Sequence, residues 1–207
     1  MTFDANQPTE TDETVLVAVV DETYGHADSD DDWDVAREAF RLELEAEFEL
    51  PFEDADIGPG ASLPAFATLI AGAVAIGGGI GSVLVAGKTI EDGIDAYIRL
   101  AKRIRKLFTR RVYVNRNGAA VLAIEAVAKE VQGLPRSIKI LGYAVQSLAE
   151  PDEPSDLEPL IEVADPVGTI YLGMVRHIFD LEANGARYRV SVESQSVKVL
   201  LLQPALA

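Results

Sequence analysis

Few residues in this chain could do chemistry, and each group stops short of a complete motif. Gly87-Lys88-Thr89 ends like a phosphate-binding loop, in which bare backbone amides cradle phosphate and the lysine meets its charge. The first glycine of that pattern would stand at position 82, where the chain has Ser82. The intervening Val83-Leu84-Val85-Ala86 is apolar and suits a tight turn of exposed amides poorly. Gly77-Gly78-Gly79-Ile80-Gly81 begins like a dinucleotide fingerprint but lacks its third glycine. Counted from Gly77 that position holds Ser82, and counted from Gly79 it holds Leu84.

Metal and nucleophile chemistry fare no better. Asp28-x-Asp30-x-Asp32 opens like a calcium loop, yet Trp33 stands where glycine is required and Ala39 where the bidentate glutamate belongs. The same acids suit the first turn of a helix, where they cap and complement its dipole. His26 and His177 are the only imidazoles, far apart in the chain, and neither pairs locally with carboxylates at metal spacing. Cysteine is absent, which removes thiolate nucleophiles, thiolate metal sites and disulfides. No Gly-x-Ser-x-Gly elbow occurs. The sequence therefore assigns no catalytic residue, no metal ligand and no cofactor.

The elements that carry these residues centre on one stretch, Ser62–Arg111. Ser62–Gly87 holds no charged residue and is rich in Gly, Ala, Val and Ile. Ser62 suits an N-cap and Pro64 a first turn, so the stretch is expected to be helical. Two readings stand for it: a helix buried in the core, or a span or hairpin in lipid, since about 20 apolar residues suffice to cross a bilayer. In either case the small residues Gly72, Gly77, Gly78, Gly79 and Gly81 would let another helix approach closely. Lys88–Arg111 is then an amphipathic helix, with Ile90, Ile94, Tyr97, Ala101, Ile104 and Phe108 at helical spacing. Its basic residues Arg99, Lys102, Arg103, Arg105, Lys106, Arg110 and Arg111 crowd the later turns.

Charge is placed unevenly along the 207 residues, whose formal net charge is −16. Met1–Asp56 holds 19 acids and 2 bases, Ile57–Ala149 holds 5 acids and 12 bases, and Glu150–Ala207 holds 10 acids and 4 bases. A basic middle within an acidic whole fits internal charge pairing, or contact with an anionic surface such as a membrane. Nucleic acid is disfavoured because the rest of the chain would repel it. Met1–Glu13 has neither the basic nor the apolar region of a secretory signal, and the expected location is cytoplasmic or at the inner face of a membrane.

The remaining elements follow from periodicity. Thr14–Val20 reads as a buried strand. Trp33–Leu50 fits both a strand, because Phe40–Leu50 alternates, and a helix, because Trp33, Ala36, Phe40, Leu44 and Phe48 share one helical face; its residue types favour the helix. Phe52–Ile57 reads as a second strand. Beyond the basic helix come a strand at Val112–Asn115, a turn at Asn117-Gly118 and a helix over Ala119–Gln132; Ser137–Leu148 fits a strand through Ile138, Ile140 and Leu141 and a helix through Ile138, Leu141, Val145 and Leu148, with the strand preferred. Thr169–Leu181, Arg187–Glu193 and Val197–Leu202 read as an antiparallel meander, with Asn184-Gly185 as a hairpin turn.

The expected fold is α+β: a small mixed sheet, a C-terminal antiparallel meander, and a glycine-rich apolar helix followed by the basic helix. Three segments are marked out, 1–57, 58–111 and 112–207, forming one compact domain. The expected role is a non-catalytic interaction or accessory protein that uses the apolar and basic helices as its contact surface. Its partner would be another protein or a second copy. One alternative is a membrane-inserting or membrane-anchored component. Another is a phosphate- or nucleotide-binding enzyme acting through Gly87-Lys88-Thr89. Whether a small molecule binds is left open by the sequence.

Overall fold

A computed structural model of the chain describes residues 15–26, 29–57, 64–70, 90–147 and 175–204. In order the elements are β1 (Val15–Val20), α1 (Asp30–Phe48), β2 (Glu53–Asp56), β3 (Pro64–Ile70), α2 (Ile90–Lys106), a 3-10 turn (Leu107–Thr109), β4 (Val112–Val114), α3 (Arg116–Glu130), β5 (Ile138–Ser147), β6 (Val175–Ala183), β7 (Ala186–Glu193) and β8 (Ser196–Gln203). The fold is α+β, with two four-stranded sheets ordered β2-β3-β1-β4 and β5-β6-β7-β8. Every strand pair is antiparallel, so the expected mixed sheet gives way to two antiparallel ones. In the first sheet β3 lies between β1 and β2. With the connection β1-α1-β2-β3-α2-β4, this is the split β-α-β arrangement of ferredoxin-like folds. That topology hosts many functions and selects none.

The ambiguous stretch before Pro51 is helical. Ser29 caps α1 by accepting from the backbone N–H of Asp32 at 3.2 Å, and Glu49 ends it in the left-handed region. Phe40 and Leu44, four residues apart, are buried together. Arg41 reaches Glu38 at i−3 and Glu45 at i+4, pairs that only helical spacing brings together. In the helix Phe40 and Leu44 share the buried face, Leu42 is left exposed, and Arg41 pairs with glutamates one turn away on either side.

Two expectations are corrected. The Ser62–Gly87 helix does not hold over its first part, because Pro64–Ile70 is a strand. Its uninterrupted apolar run fits a strand inserted between two others, and Ala65, Phe66, Thr68 and Ile70 are all buried. Pro64 stands at the strand's first residue, where its missing N–H is tolerated, and its carbonyl accepts from the N–H of Asp21 at 3.0 Å. The rest of that stretch, including Gly72, Gly77, Gly78, Gly79 and Gly81, lies outside the described residues. Asn117-Gly118 is not a turn between elements but the first turn of α3. Asn115 caps it: its Oδ1 accepts from the N–H of Gly118 at 3.0 Å and from the N–H of Leu16 at 3.2 Å. One side chain thus starts the helix and ties it to β1. Glycine is required at 118 because an added Cβ would sit 2.8 Å from the Cβ of Val114.

The centre of the fold is α3 rather than the Ser62–Arg111 stretch. It lies between the two sheets, touching β1 and β4 of the first and β6, β7 and β8 of the second. Every residue from Asn117 to Ala128 is buried. The small side chains of this helix admit neighbours on all sides, and a helix apolar all round belongs in a core. Val15, Val17 and Val19 point into the main core with α1, α2 and α3. Leu16, Ala18 and Val20 alternate to the other face, where they meet Ile57, Ala65 and Tyr113.

Candidate interaction surface

Helix α2 divides its side chains between two tasks. Ile94, Tyr97, Ala101 and Ile104 are buried, and their spacing makes one stripe that faces the core. Burial pushes the Tyr97 phenol above its usual pKa, so the ring stays neutral there. The cationic residues of the segment fall into two sets.

The first set is paired within the molecule. Arg105 on α2 donates to Oε2 of Glu125 on α3 at 2.9 and 3.2 Å. Lys129 approaches the other oxygen of Glu125 at 2.5 Å. Burial pushes the Glu125 carboxyl up, but the hydrogen bonds and charges of Lys129 and Arg105 outweigh that, and its pKa lies below the ordinary value. Arg110 reaches Glu22 at 3.1 Å, Glu47 at 3.1 Å, and Glu43, while its guanidinium lies 5.4 Å from the centre of the Phe40 ring. Partial burial opposes its charge, yet Glu47, Glu43 and Glu22 together raise its pKa. Arg111 lies over Tyr113 and donates to its hydroxyl at 2.7 Å. Arg105 thus holds α3 to α2, and Arg110 holds α1 to the segment before β4, whereas the Arg111 contact with Tyr113 is local.

The second set faces solvent. Arg99, Lys102, Arg103 and Lys106 are exposed, and their spacing of i, i+3, i+4 and i+7 forms one stripe. Arg99 pairs with Asp95 on the same helix. Lys102, Arg103 and Lys106 make no ion pair among the described residues. Of the seven basic residues expected to form a contact surface, the structure therefore brings Arg99, Lys102, Arg103 and Lys106 together in one exposed stripe, ties Arg105 and Arg110 to carboxylates of other elements, and leaves Arg111 exposed beside Tyr113.

The other candidates resolve differently. Gly87-Lys88-Thr89 lies outside the described residues, as does Asp28. Asp30 and Asp32 sit in the first turn of α1, and the Asp32 carboxylate accepts from the Ser29 hydroxyl at 2.6 Å. No group of three or more His, Asp or Glu poised for a metal occurs among the described residues. His177 is buried in β6. Its Nε2 donates to the Val114 carbonyl at 3.2 Å, which leaves Nδ1 to accept from the Tyr143 hydroxyl at 2.9 Å.

Sequence reading missed the polar joint between the sheets. Besides His177, Ser194 donates to the Val112 carbonyl at 2.5 Å, and Gln195 donates to the Phe108 carbonyl at 3.2 Å and to the Arg110 carbonyl. It also missed Asp21, whose buried carboxylate accepts from the Thr23 N–H and hydroxyl and from the Trp33 indole. Asp21 directly after an apolar strand was the one available signal for that cluster, since a buried carboxylate must collect donors. Comparison with protein-family models, curated proteins and solved structures gives no match.

Proposed function

We propose that this protein is a non-catalytic interaction module whose docking surface is the exposed stripe Arg99, Lys102, Arg103 and Lys106. The observation that carries the reading is the division of labour on α2. Arg105 and Arg110 are committed to carboxylates on other elements, while Lys102, Arg103 and Lys106 stay exposed in a protein whose net charge is −16. An ordered helix holding cations in a row offers a fixed pattern to an acidic surface, and such complementarity governs encounter rate and choice of partner. An acidic face of another protein fits this stripe best.

The same chemistry would serve an anionic membrane, with long side chains reaching headgroups while the helix stays folded on its own core. No helix among the described residues is long and apolar enough to cross a membrane. Among the described residues, what supports the membrane alternative is surface contact by α2; residues 71–89 of the apolar stretch lie outside them.

The test compares wild type with the triple variant K102Q/R103Q/K106Q. Partners captured by in-cell crosslinking are identified for both, and sedimentation is measured with vesicles of phosphatidylcholine containing phosphatidylserine. A crosslinked protein lost in the triple variant, with folding unchanged, supports the proposal. Salt-sensitive vesicle binding lost in the same variant moves the reading to a membrane. Identical behaviour of both chains in both assays rules the stripe out as a docking surface.

A further inference from the structure

A surface helix of a globular protein carries one apolar face, which it turns to the core. Helix α1 carries two. Its inner face holds Phe40 and Leu44, both buried. Leu42 stands two residues from each, roughly 160–200° round the helix, and so points away from the core. Val35, Ala39 and Ala46 fall on the same outer line, and all four residues are exposed. Val35 is 73% exposed and Leu42 51%. A lone exposed leucine is ordinary, whereas apolar side chains in a row along one outer face mark a contact surface. The strict alternation of Phe40–Leu50 is the sequence trace of this second face, because it supplies the inner and outer sides of the helix in turn.

Spacing and charge define what this stripe fits. Positions 35, 39, 42 and 46 are separated by four, three and four residues, the repeat by which one helix seats its side chains between those of another. The stripe is about 16 Å long, three helical turns. Both of its borders are acidic. By helical spacing Asp31, Asp34 and Glu38 line one side, and Asp32, Glu43 and Glu47 the other. Glu38 shares Arg41 with Glu45, and Glu43 shares Arg110 with Glu47. The eight acids of α1 nevertheless exceed its two bases by six, and Arg110 removes only one of these charges. A second α1 would match the spacing but would set acid against acid. An anionic membrane would be repelled in the same way. The exposed stripe of α2 has the matching charge, but Arg99, Lys102, Arg103 and Lys106 bring no apolar side chain to cover Val35 and Leu42.

We infer that the outer face of α1 is a docking site for a basic amphipathic helix of a partner protein. Apolar residues of that helix, repeating every three and four positions, seat on Val35, Ala39, Leu42 and Ala46. The two alanines are small, and leave room between Val35 and Leu42 for a larger side chain from the incoming helix. Lysines or arginines on both flanks of that helix meet the acids that border the stripe, so charge selects the partner and the apolar row holds it. This surface lies on a different helix from the basic stripe of α2 and requires nothing from it.

The probe is a synthetic peptide of three heptads with leucine at a and d and lysine at e and g, titrated with the full chain by fluorescence anisotropy. One control peptide has the same composition with its leucines scattered round the helix, and another has glutamate at e and g. The basic heptad peptide should bind one to one, less tightly as salt rises, and neither control should match it. The variant V35Q/L42Q should weaken binding roughly tenfold or more with an unchanged circular dichroism spectrum, since both side chains are exposed. D31N/D34N should weaken it and flatten its salt dependence. K102Q/R103Q/K106Q should bind the peptide as wild type does, which separates this surface from the α2 stripe. Equal binding of the scattered peptide, or wild-type affinity in V35Q/L42Q, reduces the contact to unspecific charge and overturns the inference. No binding of the basic heptad peptide at submillimolar concentration overturns it as well. So does a wild-type chain that self-associates at micromolar concentration and becomes monomeric as V35Q/L42Q, because the occupant is then a second copy.

Discussion

His177 on β6 donates from Nε2 to the carbonyl of Val114 on β4, a bond of 3.2 Å that links the two sheets directly. Val114 lies on the edge of the first sheet, and its carbonyl points away from β1. The bond satisfies a group that would otherwise be buried without a donor. The accepting Nδ1 on the same ring places the Tyr143 hydroxyl at 2.9 Å. One imidazole therefore connects β4, β5 and β6.

Replacing His177 by phenylalanine keeps the ring volume but removes both bonds. The Val114 carbonyl loses its donor and Tyr143 its acceptor, so H177F should destabilise the fold by about 2–4 kcal/mol. Y143F should cost less. The double variant should cost less than the sum of the two singles, because they share one bond. Urea denaturation of the three variants gives the coupling; strict additivity would mean that the pair does not act as a unit.

Glu125 sets the acid limit of the structure. Its folded pKa lies below the ordinary value of 4.5 despite burial, because Lys129 and Arg105 favour the carboxylate. A depressed folded pKa contributes stability that is present above the unfolded pKa and is lost as pH falls through the folded value. The variant E125Q should therefore lose about 1–3 kcal/mol at neutral pH. Its stability should also fall less steeply than that of wild type below about pH 4.5. Parallel wild-type and E125Q profiles from denaturation at stepped pH would contradict this role.

Gly118 and Gly133 should respond in opposite ways to alanine. A Cβ at Gly118 would meet the Val114 side chain at 2.8 and 3.2 Å, while one at Gly133 would meet nothing within 4 Å. Crowding a packed joint typically costs about 1–3 kcal/mol, so G118A should melt well below wild type. G133A should stay within about 0.5 kcal/mol of it. Thermal denaturation followed by circular dichroism separates them.

The cations of α2 should also sort into two classes. Arg105 and Arg110 hold buried or multiple carboxylates, so R105Q and R110Q should each lower the unfolding midpoint measurably. K102Q, R103Q and K106Q face solvent and should each change stability by no more than about 0.5 kcal/mol. Equal losses across all five variants would mean that the exposed stripe is part of the folding framework and free for nothing else.

Much of the local structure was legible because periodicity and turn chemistry are properties of a few neighbouring residues. Asn184-Gly185 specified its hairpin, and both residues adopt positive φ, 51° and 81°. Ile94, Tyr97, Ala101 and Ile104 marked the buried face of α2 before any partner was known. Ser137–Leu148 fitted both a strand and a helix, and it is a strand over Ile138–Ser147 because it pairs along β6. The basic stripe was equally visible as a cluster, since charge placement is written in the chain.

Other features depended on what each segment packs against. Pro64–Ile70 is apolar without a period, and such a run suits a buried helix or a buried strand alike; its place between β1 and β2 decided the matter. Asn117-Gly118 carries turn chemistry, yet Asn115 captured its amide and the close approach of Val114 fixed the glycine inside a helix. Seven cations looked alike along the chain, and only the positions of Glu125, Glu22, Glu43 and Glu47 set Arg105 and Arg110 apart from the exposed ones. The sequence by itself determined helical faces, hairpin turns and the sign of the surface, because these arise from covalent neighbours. The tertiary structure alone decided that α3 is the centre and that His177 joins the sheets. Those outcomes require groups more than sixty residues apart to find hydrogen-bond and packing partners, and no local pattern encodes which partner wins.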